Sequence, residues 1–273
     1  MNNSLPITHD SHVHSLISCD STASIDAMCA SAIAKGFERI CFTEHFDMNP
    51  KDSGFQYFNP ERYSREIRQA REKYSGRLTV LRGIEFSEPH SYPAEFEKFQ
   101  RMDFDFILCS VHWFADQWIA EKDILLRYSL EAIFEMYYGE VMKTVALGGF
   151  DALAHIDFPK RYLGRTHEPA DMIDEILGEI VRRDIALELN SSPLRKGNSE
   201  PYPSDSICRR YSAQGGRKVT VGSDAHSEDE IGKDFDRLWD VVSRHGFRIV
   251  SFINRRGEFC TPPACTPNTH PPP

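Results

Sequence analysis

Histidine and carboxylate residues recur in short phrases along this chain, and both residue types bind metal ions. The chain has 11 histidines in 273 residues, and the phrase HDSHVHS at 9–15 holds three of them with an aspartate. His12 and His14 are two positions apart, so on an extended segment their side chains point to the same side and can bind one ion. Imidazole and carboxylate ligands without cysteine suit zinc, iron or manganese.

The same residue types end each of seven apolar runs. After His12 and His14, the endings are Glu44 and His45, Glu85 with Glu88 beyond it, His112, His155 and Asp157, Glu188 and Asn190, and Asp224 and His226. A lone residue of this kind at a strand end is more often a cap or a turn residue. Seven such endings together indicate an active site, because parallel α/β folds build theirs at the carboxyl ends of the strands. One ion takes about four to six ligands, so we expect two or three ions.

Alternating strands and helices are predicted to position these residues. The predicted strands are 6–10, 39–44, 78–86, 104–112, 150–158, 185–191 and 218–224, and the main predicted helices are 24–35, 60–74, 130–147, 169–184 and 227–246. The strands are continuous apolar runs, which is typical of a parallel sheet covered on both faces. The alternation predicts a single parallel α/β domain, either a seven-stranded barrel or an open doubly wound sheet.

Composition narrows the partners and the location. The net charge of −9 argues against nucleic acid and against an anionic membrane surface. The sequence has no apolar run long enough to span a bilayer, and its N-terminus does not resemble a secretory signal. Seven cysteines without a CxxC pair indicate reduced thiols and a cytoplasmic location. The last 13 residues contain six prolines, so we expect one domain over 1–260 and a proline-rich tail over 261–273.

These phrases together resemble the polymerase and histidinol phosphatase (PHP) family of phosphoesterases. The resemblance rests on D10-S-H-V-H14, E44-H45, Glu85, S-V-H112, H155-I-D157 and G-S-D224-A-H226, which occur in the family's order. It implies a distorted seven-stranded barrel of the (β/α)7 TIM-like type, with three divalent metal ions (zinc, iron or manganese) at the carboxyl ends of its strands. The implied ligands are His12, His14, Asp20, His45, Glu85, His112, His155, Asp224 and His226. Several members have histidine at the position of Asp20, and a turn aspartate is the alternative there.

Neighbouring residues have predicted supporting roles. Asp10 would orient a ligand histidine by accepting its second ring N–H. His9 would point to the opposite face, away from the ions. Arg195 is expected to contact phosphate, with Arg161 or Lys160 as a second candidate, because guanidinium offers paired donors to phosphate oxygens. The candidate general acid is Asp20 or a ligand histidine, unless a metal ion holds the leaving alkoxide.

Within the family, three phrases resemble the members that hydrolyse histidinol phosphate. They are ELNSSPLRKG (188–197), EPYPSD (200–205) and the strand-like RIVSFINRRGE (248–258). The implied reaction is attack of a metal-activated hydroxide on phosphorus, which releases histidinol and phosphate in histidine biosynthesis. The expected partner is a small-molecule phosphate ester, and the chain is expected to be a monomer or a homodimer.

Three other functions stay open from the sequence. The nearest is a phosphatase of the same family that acts on phosphotyrosine, a sugar phosphate or a nucleotide. The second is a metal-dependent amide or ring hydrolase, although such enzymes usually have a lysine at a strand end and this chain has none there. The third is a scaffold with a structural metal, which would close with about four ligands rather than nine.

Overall fold

The computed structural model of the chain describes residues 7–114 and 116–260, and these form strands and helices in alternation. The strands are β1 (His9–Val13), β2 (Arg39–Phe46), β3 (Thr79–Ser87), β4 (Phe106–Ser110), β5 (Trp113–Phe114), β6 (Gln117–Trp118), β7 (Ala152–Leu153), β8 (Ala186–Asn190), β9 (Lys218–Gly222), β10 (Arg248–Ile253) and β11 (Arg256–Phe259). The helices are α1 (Ile25–Ala34), α2 (Pro60–Tyr74), α3 (Pro93–Gln100), α4 (Ile124–Arg127), α5 (Leu130–Leu147), α6 (Lys160–Leu163), α7 (Ala170–Arg182), α8 (Ser192–Arg195), α9 (Asp205–Ala213) and α10 (Phe235–His245), with a 3-10 helix at Glu228–Glu230.

Nine strands of the described part form one sheet in the order β1-β2-β3-β4-β7-β8-β9-β10-β11. Neighbours in this order pair in parallel except β10 and β11, which form an antiparallel hairpin from the strand-like segment 248–258. The predicted α/β fold with a mostly parallel sheet is therefore confirmed. β1 also approaches the chain beyond β9, where Val13 and Ala225 form an isolated parallel bridge.

Three predicted elements differ from the structure. The strand expected at 150–158 is only Ala152–Leu153, and turns follow it. The first strand was expected at 6–10 but occupies His9–Val13, because its polar residues are buried through pairing with β2. The single helix expected at 227–246 is divided into the 3-10 helix and α10. Gly232 and Asp234 both adopt positive φ, a conformation that interrupts a right-handed helix.

Alternate residues of the strands face two different cores. One face packs against the helices through the larger apolar cluster, to which Val80 and Ile84 of β3 contribute. The opposite face, called here the inner face, holds a second apolar cluster, most of it toward the amino ends of the strands, although Leu108 of β4 pairs directly with Glu85 of β3. This inner apolar cluster consists of Cys41, Leu81, Phe106, Leu108, Ala152, Ala154, Ala186, Val250 and Phe252. On β3 the inner positions run from Leu81 through Gly83 to Glu85, so the same face changes from apolar to ionisable along one strand.

Gly83 marks a close approach of strands on the inner face. A Cβ atom there would lie 2.8 Å from the Phe42 carbonyl oxygen and 2.8 Å from Cys41 Sγ. Real Cβ contacts are not that short, so only glycine lets β2 and β3 keep this spacing.

Within residues 7–114 and 116–260, every helix is too short or too polar to cross a bilayer. The proline-rich tail at 261–273 lies outside the described residues. The boundary of one domain at residue 260 stays a prediction.

Candidate metal centre

The nine predicted metal ligands converge at the carboxyl ends of the strands, around a cavity of about 530 Å³. Seven of them line this cavity, and they are Asp20, His45, Glu85, His112, His155, Asp224 and His226. His12 and His14 lie beneath it and are fully buried. Residues that are more than 200 positions apart in the sequence thus meet at one end of the inner face.

Three groups of these residues place one potential ligand atom each within 4.8 Å of the others. The groups are His12, His14 and Asp224; His14, His45 and His226; and Glu85, His112 and His155. His14 belongs to two groups, so these two share a residue. Such spacing allows the atoms of each group to contact one ion.

The two fully buried histidines of the phrase HDSHVHS, His12 and His14, contact each other. His12 Nε2 lies 3.0 Å from His14 Nε2, and Asp224 Oδ1 lies 3.7 and 3.4 Å from these two atoms. Asp224 adopts φ +54°, a conformation that aspartate tolerates better than most residues.

Glu85 connects the groups because its two carboxylate oxygens face different histidines. Oε2 lies 3.3 Å from His12 Nε2 and 3.0 Å from His45 Nδ1. Oε1 lies 3.1 Å from His155 Nε2 and 3.6 Å from His112 Nε2. A carboxylate with this placement can bridge two ions.

Asp20 covers the centre from the solvent side. Its Oδ2 lies 3.2 Å from His226 Nε2 and 3.6 Å from His45 Nε2, and its side chain is 52% exposed. Burial would raise the pKa of Asp20, but the two imidazoles outweigh it and hold the pKa well below its usual range. The rings of His45 and His226 each stack on His14, with centroids 4.1 and 4.3 Å apart.

Two of the buried histidines, His14 and His112, have lowered pKa values that suit a neutral ligand, whereas the pKa values of His12, His45 and His226 are raised by neighbouring carboxylates. Burial and the neighbouring imidazoles lower the pKa of His14 to about 3, and burial lowers the pKa of His112 to about 4. Both are therefore neutral at pH 7, as a ligand imidazole must be. At His12 burial would lower the pKa, but Glu188, Glu85 and Asp224 outweigh it and raise the pKa well above its usual value. Three buried carboxylates thus attract positive charge to this point, and a divalent cation satisfies them as a proton does.

Comparison with known proteins identifies the family. The model of the PHP domain matches residues 10–192. The chain belongs to the PHP family. It is 31% identical to a protein named probable histidinol-phosphatase from Clostridium acetobutylicum, over 90% of this chain and 97% of the relative. It is 26% identical to the histidinol-phosphatase of Lactococcus lactis, over 87% of this chain and 91% of that protein.

The fold of this PHP protein is also similar to solved structures. The crystal structure of histidinol phosphate phosphatase from Lactococcus lactis, complexed with zinc, L-histidinol and phosphate, superimposes with a TM-score of 0.80. That comparison covers 92% of this chain and 98% of the other, at 23% identity. The histidinol phosphatase described as putative from Listeria monocytogenes gives a TM-score of 0.72 at 19% identity.

Glu188 is a residue of this PHP site to which sequence analysis gave no role beyond ending a strand. Its Oε1 lies 2.5 Å from His12 Nδ1, and its Oε2 accepts the backbone N–H of His155 at 2.9 Å. The role expected of Asp10 therefore belongs to Glu188, and the prediction for Asp10 was wrong. Asp10 accepts backbone N–H groups from Ser223 and Gly232 at 2.9 and 3.0 Å.

The two predicted phosphate-binding arginines occupy different environments. Arg161 lines the cavity, and its guanidinium lies 5.5 Å from the centre of the Tyr162 ring. Arg195 lies outside the cavity lining. Its Nη2 donates to the carbonyl oxygens of Ser223 and Asp224 at 2.7 and 3.2 Å, and its buried Nη1 has no partner among the described residues.

Lys160, the alternative to Arg161, is engaged elsewhere. Its Nζ lies 2.7 Å from Asp157 Oδ2 and 2.7 Å from Glu168 Oε1. The two carboxylates hold its charge away from the cavity. His9 is buried but does not join the ligand groups, as expected.

Proposed function

We propose that this chain is a metal-dependent phosphatase that hydrolyses L-histidinol phosphate to L-histidinol and phosphate. The named relatives support this substrate, since one is named histidinol-phosphatase and one probable histidinol-phosphatase, and both match this chain over most of its length. The observation that carries the proposal is the position of Glu85, whose two oxygens face separate histidine groups inside one cavity. Divalent ions held by this carboxylate and the histidines around it would place positive charge where a phosphate ester binds in an otherwise acidic protein.

We propose three divalent ions, of zinc, iron or manganese, held by the nine predicted ligands. The three groups described above supply nitrogen and carboxylate oxygen and no sulfur, which fits these metals. Zinc in the related crystal structure supports the choice. When bound, such ions supply Lewis acidity to the phosphoryl group and make water a nucleophile at neutral pH.

The residues of the chain bind and orient the ester. Arg161 at the cavity wall would donate to the phosphate oxygens. Asp20 lies beside His226 and His45, and its carboxylate would bind an ion on the solvent side of the centre. Its alternative role would be to accept and return a proton at Oδ2. Arg195 would support the backbone of Asp224, with Nη1 as its only group left for phosphate.

The rest of the cavity wall favours an aromatic, cationic leaving group over a sugar. Four aromatic side chains line it, and neighbouring ring centroids are 5.3 to 6.3 Å apart along the series Trp113, Trp118, Phe158 and Tyr162. Asp47 and Asp52 line the same cavity. Histidinol offers an imidazole to the aromatic rings and an ammonium group to the carboxylates.

We also propose that seven strands form a distorted barrel, and these are β1, β2, β3, β4, β7, β8 and β9. The bridge from Val13 to Ala225 supports closure, as does the hydrogen bond from the His14 N–H to the Ala225 carbonyl oxygen at 2.9 Å. One domain over 1–260, a monomer or homodimer, and a cytoplasmic location stay predictions.

The proposal is tested with a panel of phosphate esters and the metal-replete full chain. The panel contains histidinol phosphate, phosphotyrosine, a sugar phosphate and a nucleotide, and phosphate release is measured. We expect the highest kcat/KM for histidinol phosphate, loss of activity after chelation and recovery on adding divalent metal. A higher kcat/KM for another ester would replace the substrate, and full activity without bound metal would contradict the metal centre.

A further inference from the structure

Two histidines of the centre contact a buried carboxylate through a serine. Ser18 Oγ donates to Glu44 Oε2 at 2.7 Å and lies 3.2 Å from His14 Nδ1. All three side chains are buried. Glu44 is the first residue of the E44-H45 phrase and belongs to none of the three ligand groups. Its carboxylate accepts hydrogen bonds from Ser15 and Ser18 and does not line the cavity.

The same arrangement occurs at a second, separate place. Ser87 Oγ donates to Asp47 Oδ1 at 2.6 Å and lies 3.2 Å from His112 Nδ1. These three side chains are also buried. The two arrangements share no residue, and they serve histidines from different ligand groups.

The direction of the serine protons fixes the tautomer of each histidine. A serine hydroxyl has one proton, and in each case a short bond gives that proton to the carboxylate. Toward the histidine the serine oxygen can therefore only accept, so Nδ1 must bear the hydrogen. In a neutral ring Nε2 is then the nitrogen with a free lone pair, and in both histidines Nε2 faces the site.

We propose that Glu44 and Asp47 are positioning residues that act through Ser18 and Ser87. Each holds its histidine as the Nδ1–H tautomer and leaves Nε2 to bind a metal ion. Groups that orient a ligand histidine typically change metal affinity by about 10–100-fold when removed. The inference rests on the proposed metal centre and not on the identity of the phosphate ester.

The His14 arrangement is tested with two serines that contact the same carboxylate. Ser15 Oγ donates to Glu44 Oε1 at 2.6 Å, and it has no hydrogen bond to His14 among the described residues. Ser18→Ala removes the link to His14 and also the acceptor of the His45 backbone N–H at 3.0 Å, whereas Ser15→Ala removes an equivalent bond to Glu44 and leaves both intact. The tautomer of His14, measured below, distinguishes the first loss from the second. Zinc affinity of the full chain is measured by competition with a chelator. We expect a loss of about 10–100-fold for one ion in Ser18→Ala and wild-type affinity in Ser15→Ala.

The His112 arrangement has its own matched pair. Ser110 Oγ lies 3.3 Å from Ser87 Oγ, is fully buried, and makes no hydrogen bond to His112 among the residues described. Ser87→Ala should weaken a different zinc ion from the one affected by Ser18→Ala, and Ser110→Ala should weaken none. If either Ser18→Ala or Ser87→Ala fails to fold, the other pair decides.

A second readout follows the ring nitrogens themselves. Nitrogen-15 NMR of the zinc-free full chain shows which nitrogen of a neutral histidine bears hydrogen. We expect Nδ1–H at His14 and His112 in the wild type, and mixed tautomers at the corresponding histidine in Ser18→Ala or Ser87→Ala.

The outcomes separate this inference from the proposed function. Wild-type tautomers and zinc affinity in both serine variants would overturn the positioning role. A wild-type chain that retains no zinc would contradict the metal centre, while the tautomer measurement would still decide the positioning role. Neither measurement uses a phosphate ester, so a different substrate would leave both results standing.

Discussion

The two ends of the inner face use the same strands for opposite purposes. At the amino ends, Leu81 of β3 and Phe106 of β4 belong to an apolar cluster and are almost fully buried. At the carboxyl ends, Glu85 is equally buried but is surrounded by imidazoles. Alternate residues of β3 share the inner face, and they run from Leu81 through Gly83 to Glu85. The face therefore changes from apolar to charged along a short part of one strand.

The difference indicates that the apolar end stabilises the fold, and that the folding free energy must offset the cost of burying charged groups at the ionisable end. Apolar burial contributes about 25 cal/mol per Å². Buried charged groups cost free energy unless they are paired, and the carboxylates here are paired mainly with histidines. The apolar end can therefore be expected to govern stability, and the ionisable end to govern metal binding and turnover.

The largest expected effect comes from Glu85→Gln at the ionisable end. This change keeps the size of the side chain but removes the charge between two histidine groups. We expect kcat to fall by about 10²–10³-fold, comparable to the loss of one group that stabilises a charged transition state. Phosphate release at saturating ester and zinc content by elemental analysis check the result.

A matched control for Glu85 lies outside the cavity. Glu140 Oε2 contacts His90 Nε2 at 2.6 Å, so it is also a glutamate paired with histidine. Glu140→Gln should leave kcat at the wild-type value. Equal losses in both variants would mean that the effect is structural.

The second effect concerns the apolar end. Leu81 is almost fully buried in the inner apolar cluster and pairs with Cys41 on β2, so Leu81→Ala should lower the free energy of unfolding by about 2–5 kcal/mol. The kcat of the folded enzyme should not change. Urea unfolding and steady-state kinetics below the unfolding transition test both statements. A variant with normal stability and low kcat would contradict the division between the two ends.

The third effect tests the cost of a buried carboxyl group at the ionisable end. Burial raises the pKa of Glu88 from 4.5 to about 8, although the N–H groups of His112 and Trp113 donate to it. The folded state therefore holds a proton that the unfolded state has lost between these pH values. The free energy of unfolding should fall as the pH rises from about 5 to 8, by at most about 1.4 kcal/mol per pH unit.

Glu88→Gln keeps an acceptor for both N–H groups and cannot ionise. Its zinc-free form should lose this pH dependence, as measured by urea unfolding at several pH values. An unchanged slope in the variant would assign the dependence to other groups.

The smallest effect distinguishes the two arginines. Arg161→Ala should raise KM for the phosphate ester about tenfold, because one charged hydrogen-bonding group at the cavity wall is lost. Arg195→Ala should instead lower zinc retention, because Arg195 holds the backbone at Asp224. If Arg195→Ala raises KM and keeps its zinc, Nη1 contacts phosphate and the two roles are exchanged.

The meeting of the predicted ligands other than Asp20 could be expected from the sequence because they lie at or just beyond the carboxyl ends of strands. Parallel strands bring these ends to one edge, so Glu85 and His112 meet although α3 separates them. The family could be identified for the same reason, since its phrases occur at those endings. Asp20 followed only from the family resemblance. The position of β1 could not be predicted, because the polar residues of HDSHV do not look like a buried strand in the sequence. Pairing with β2 is what buries them.

The hydrogen bonds behind the ligands could not be predicted. Glu188 and His12 are 176 positions apart, and the sequence does not show which carboxylate meets which ring nitrogen. Asp10 was the nearer candidate in the chain, but its carboxylate faces backbone N–H groups. Arg195 was predicted from the phrase ELNSSPLRKG to contact phosphate. Its side chain instead donates to the carbonyl oxygen of Ser223.

The position of Asp10 has a consequence for the order of events during synthesis. Its carboxylate joins β1 to Ser223 and Gly232, which lie 213 and 222 positions later in the chain. A ribosome adds about 5–20 residues per second, so the first histidines leave it many seconds before their last partners exist. Until then, His12 and His14 are free imidazoles on an unfinished chain. We therefore expect the complete centre to take up its ions only after translation has passed its last ligand, His226.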